Sequence, residues 1–160
     1  MLQSKVNPSI SKVVFNGVVI QIADKLVNQI PYYALRHTIK PGITAKQNED
    51  NVYKALQDAG FVKIEFNKPS TENKTDVIIG CHSVGDWGHG TGPSIAFFNP
   101  VQLTYVVKPA NFLSIELFAY TAMPEWGGSK LRIPLEDDAI VTERGVEWVY
   151  PINQRVLLIK

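Results

Sequence analysis

From Val18 to Ile30 the apolar residues Val18, Val19, Ile20, Ile22, Ala23, Leu26, Val27 and Ile30 fall on one side of a helical wheel. Gln21, Asp24, Lys25, Asn28 and Gln29 fall on the other. That segregation predicts an amphipathic helix over 17–30, with Asn16 as N-cap and Pro31 as its stop. Asn16-Gly17, set between Val13-Val14-Phe15 and Val18-Val19-Ile20, is a hairpin signal as well. The sequence leaves 12–22 open between a hairpin and the start of this helix; the clean polar arc favours the helix. Tyr32 to Ile39 reads as a short strand and Pro41-Gly42 as a turn. Thr44 and Gln47 match a capping box, predicting a second helix to Ala59 with Gly60 in the C′ position.

After Gly60 the period changes from 3.6 to 2, as in Val62, Ile64 and Phe66 alternating with Lys63 and Glu65. Strands are predicted at 62–66, 76–81, 94–98, 101–107, 112–121, 131–135, 139–142, 145–150 and 155–159. Pro134 marks an edge strand, because proline cannot donate to a ladder. The expected fold is α+β in one domain over 1–160: two N-terminal helices packed on a mainly antiparallel sheet or sandwich.

Composition narrows the functional classes. Of the 160 residues 45% are hydrophobic and only 19% charged, which excludes a disordered chain. A net charge of +1 lacks the basic excess of a nucleic-acid binder. The single cysteine, Cys81, excludes an internal disulfide framework and a cysteine-rich zinc site. No apolar run reaches the roughly 20 residues that span a bilayer. No signal-peptide-like run precedes Pro8, so no membrane partner and no signal-directed secretion are expected.

The densest reactive set is Cys81-His82-x-x-x-Asp86-x-x-His89, in a glycine-rich loop running from His82 to Pro93. Imidazole and carboxylate can hold a metal or exchange protons, so His82, Asp86 and His89 are the residues of an enzymatic or ligand-binding reading. Their spacing matches no established zinc pattern, and no metal or cofactor is expected. Cys81 follows an apolar strand and reads as a small core residue. As strand neighbours, Cys81 and His82 point to opposite faces. Glu136, Asp137 and Asp138 read as a solvated turn. Trp87 and Trp126 lie in glycine-bearing turns, where tryptophan can anchor a protein partner. Trp148 reads as core.

In size and element order the chain is similar to the small connector, neck and tail-completion proteins of tailed bacteriophages. That similarity implies a compact domain without enzymatic function, assembling into a homo-oligomer or ring with itself and other structural proteins, in a virion or the host cytoplasm. The low charge fraction agrees, since the core of a buried interface is poor in charge.

Overall fold

The computed structural model describes residues 11–15, 18–22, 30–66, 68–86 and 88–151. Strands β1 (Ser11–Phe15) and β2 (Val18–Ile22) form an antiparallel hairpin in which Phe15 pairs with Val18. The helix expected over 17–30 is therefore not formed at its N-terminal end: β-branched residues on both sides of Asn16-Gly17 favour the pleated pairing. Residues 23–29 lie outside the described residues.

Helix α1 spans Ile30–Thr38, where a strand was expected. Pro31 occupies the first turn, where its missing N–H and fixed φ are tolerated, so it begins a helix rather than ending one. Leu35 and Ile39, four residues apart, are fully buried. Helix α2 spans Ala45–Asp58 and is the second predicted helix. Its capping box is present: Thr44 Oγ1 accepts from Gln47 N at 3.1 Å, and Gln47 Oε1 accepts from Thr44 N at 2.9 Å. Gly60 follows at φ +93°, the left-handed turn expected of it. The buried residues Ala45, Asn48, Glu49, Val52, Tyr53 and Leu56 trace one stripe. Asn48 staples the α1–α2 connection, accepting from Lys40 N at 2.8 Å and donating to Lys40 O at 3.0 Å.

A seven-stranded mixed sheet forms the body, giving an α+β fold. Its strands are β3 (Val62–Lys63), β4 (Asp76–Ile79), β5 (Cys81–Ser83), β6 (Ser94–Ile95), β7 (Phe112–Ala122), β8 (Lys130–Thr142) and β9 (Gly145–Trp148). β7 is central, with β4 and then β5 along one side and β8 along the other. β3 flanks β4 in a parallel pair, β6 flanks β5, and β9 flanks the end of β8. Leu113, Ile115 and Leu117 of β7 pack with Val77, Ile79, Leu35, Val52 and Leu56 in a core shared with both helices. The opposite face carries a smaller cluster of Ile64, Ile78, Phe118 and Tyr120, with Val62 and Phe97 against it. The described core is thus one sheet with helices on one face, not a sandwich.

Three further expectations are corrected. The strand expected at 101–107 is a 3-10 turn, Gln102–Thr104, with only a single bridge between Val106 and Thr44. Strands 131–135 and 139–142 are one strand, β8. Glu136, Asp137 and Asp138 sit in its middle rather than in a turn, held in extended form by pairing with Glu116, Ile115 and Ser114. The expected strand at 155–159 lies outside the described residues.

Candidate functional site

β5 separates its two reactive neighbours as alternation requires. Cys81 turns into the helix-side core at 0% exposure, where burial pushes its thiol up to about 12. It is no nucleophile at physiological pH. His82 turns to the other face, 7% exposed. There it meets side chains from three separated segments. The His89 ring stacks on it, with centroids 4.4 Å apart and planes 14° from parallel. Glu116 of β7 places Oε2 3.9 Å from His82 Nε2, and Glu136 of β8 places Oε1 3.8 Å away. These gaps exceed hydrogen-bond length. Nδ1 of His82 lies 3.1 Å from the Ser83 carbonyl, which requires a proton on Nδ1 for a hydrogen bond.

The loop is pinned from inside. Gly90 N donates to Ser83 O at 2.6 Å, Ser83 Oγ to Pro93 O at 2.9 Å, and Gln102 Nε2 to both Gly90 O and Gly92 O at 3.0 Å. Gly85 is necessary here: its φ is +62°, and a Cβ on it would stand 2.7 Å from Gly90 Cα. Gly80, between β4 and β5, leaves room for Glu116; a Cβ there would stand 2.6 Å from Oε2. Glu116 is held above the ordinary carboxylate range, first by burial and then by the charge of Glu136. The positive charges of His82, His89 and Arg132 oppose that rise.

Of the residues expected to form a site, His82 and His89 are brought together, while Asp86 is exposed in the loop. The carboxylates that meet the imidazoles come instead from Glu116 and Glu136, distant in sequence and found only through strand register. Among the described residues no three His, Cys, Asp or Glu side chains are placed to hold a metal ion. Ser114 Oγ donates to Glu136 Oε1 at 2.8 Å, but at 1% exposure it is closed to a substrate. Two grooves, of about 650 and 320 Å³, lie elsewhere, meeting at Asn73 and Ala122.

Trp126 closes a 3-10 turn, Pro124–Trp126, and is 38% exposed. Trp87 lies outside the described residues. Trp148, expected in the core, is partly buried and packs against it. Sequence reasoning missed an aromatic group on the sheet face opposite the helices. Phe66 lies 4.9 Å from Phe98, 5.6 Å from Phe97 and 6.0 Å from Phe118 between centroids. Phe66 and Phe98 remain exposed at 37% and 39%. The available signal was the Phe97-Phe98 doublet, which alternation cannot bury on one face.

Fold and site define an α+β chain in which a buried imidazole, His82, meets His89, Glu116 and Glu136 on the sheet face that also carries exposed aromatic rings. No family model matches the chain, and no curated protein matches it. Among solved structures, X-Pro aminopeptidase from Thermotoga maritima MSB8 is similar in fold, with a TM-score of 0.54 and 18% identity. The match covers 88% of this chain and 36% of that one, so the chain spans about a third of the enzyme's length. At this identity the likeness shows the fold alone.

Proposed function

We propose that the chain is a non-enzymatic structural protein working in a homo-oligomer or larger assembly. The observation that carries this reading is the exposed Phe66–Phe98 pair on the sheet face without a helix among the described residues. Aromatic rings left to water side by side are characteristic of a surface that another protein covers. The 38%-exposed Trp126 offers a second anchor, and Trp87 remains a contact residue of the same proposal. A place in a tailed-phage virion is the setting suggested by size and element order. Sedimentation equilibrium of the purified chain tests the reading. Mass rising with concentration is expected; a monomer at the highest soluble concentration overturns it.

A second reading keeps the His82–Pro93 loop as a small ligand-binding or acid–base site. It is favoured by the raised Glu116 carboxyl beside a buried imidazole. It requires small molecules to shift the ring resonances of His82 and His89 in NMR titrations, and resonances that never move would remove it.

A further inference from the structure

We infer that two copies of the chain pack face to face about a twofold axis at Pro134, with Arg132 of each against Glu136 of the other; this rests on the assembly reading above. Along β8, Arg132, Pro134 and Glu136 are exposed on the face opposite the helices, in register with Tyr120, Phe118 and Glu116 of β7.

The edge of β8 is an unsuitable place for another strand to add. Among the described residues β9 pairs only with Ala139–Thr142, and Val149 N donates to Asp138 O just beyond. Asp138 therefore aims its carbonyl outward, whereas Val141 exchanges bonds inward with Ala110 and Asn111. Pro134 shares the parity of Asp138, so its missing N–H falls on the outer side. It costs the β7–β8 ladder nothing and removes a central donor from the open edge. The exposed face remains.

That face is self-complementary in charge. Arg132 and Glu136 lie two residues either side of Pro134, about 13 Å apart along the strand. An axis lying between the two faces, perpendicular to β8 and passing Pro134, reverses the strand of the second copy. Arg132 then faces the partner's Glu136 twice. Parallel stacking would oppose like charges instead. Both groups are already positioned. The Arg132 guanidinium sits 4.2 Å over the Phe118 ring, and Glu136 accepts from Ser114. Ordering them on association therefore costs less. Phe66 and Phe98 supply apolar rim on the same face.

The test is sedimentation of the full chain carrying Arg132→Glu, Glu136→Arg, or both, with folding checked by near-ultraviolet circular dichroism. Each single swap should weaken association by about tenfold or more, because two like-charge pairs appear per dimer. The double swap should restore it. A wild-type chain that is monomeric overturns the assembly reading, and this contact with it. Assembly in the wild type that is indifferent to the swaps, or a double swap that does not restore it, overturns the contact alone. Should a charge variant fail to fold, Phe66→Ser and Phe98→Ser decide the matter: association unchanged in both overturns the face.

Discussion

Lys130 Nζ lies 2.6 Å from Asp76 Oδ2, across β7, with the two side chains only 7% and 0% exposed. Ser70 completes the network. Its N–H and Oγ donate to Asp76 at 2.8 and 2.6 Å, and Lys130 donates to its Oγ at 2.9 Å. The pair thus ties the 68–75 loop to the sheet. Lys130→Met leaves the Asp76 carboxylate buried without its counter-charge and should cost about 3–5 kcal/mol in urea unfolding. Asp76→Leu added to Lys130→Met should recover much of that loss, since a buried pair replaced by apolar groups is often neutral. A single-variant loss below about 1 kcal/mol would be that of an exposed pair and would contradict this account.

Tyr53 donates no ladder bond, yet its hydroxyl completes one. Tyr53 Oη accepts from the Ile79 N–H at 3.1 Å, where the short β3 leaves the outer side of β4 uncovered. Tyr53→Phe leaves that buried N–H without a partner and should cost about 1–3 kcal/mol in thermal unfolding, with the fold unchanged. An unaltered melting temperature would mean the amide finds water instead.

β7, β9 and the capping box of α2 were legible, from alternation in Leu113, Ile115 and Leu117 and from the Thr44 and Gln47 pair. The turn at Gln102–Thr104 and the unbroken β8 were not, because turn and strand there depend on tertiary pairing, for β8 with β7, rather than on local pattern. The N-terminal half was less legible. A run such as Val18-Val19-Ile20 fits helix or strand, the polar arc of 18–30 favours the helix, and the pairing with Ser11–Phe15 decides for the strand. Pro31 reads as a stop until α1, which begins at Ile30, is seen to bury Leu35. In the site, His82 and His89 could be singled out, but Glu116 and Glu136 could not. Their approach depends on the register Glu116↔Glu136, which no local pattern encodes.

Cys81 offers a check on the core. At 0% exposure, with its thiol raised to about 12 chiefly by burial, it should stay unmodified by a thiol reagent in native protein. It should react at full stoichiometry once denatured. Rapid labelling of the native chain would show that β5 opens locally, and would place it at the weak end of the sheet.

Glu116 makes stability depend on pH in a defined direction. Burial first, and Glu136 second, raise its carboxyl above the ordinary 4.5, so the folded state prefers the proton more than the unfolded chain does. That contribution is fully present below 4.5 and is lost as pH rises through the raised folded value. The groups facing it from neighbouring elements are His82 on β5, His89 on the loop, and Glu136 and Arg132 on β8. The cationic charges among them limit the rise without cancelling it. Glu116→Gln keeps the size and neutrality of the protonated form. The variant should therefore melt higher than wild type near neutral pH, and the two should converge as pH falls to about 4.5. Melting curves of both proteins across that interval measure the difference directly. If Glu116→Gln melts lower at neutral pH and equal in acid, the ionised carboxylate is the form the fold prefers. The attraction of His82, His89 and Arg132 then outweighs the burial of Glu116.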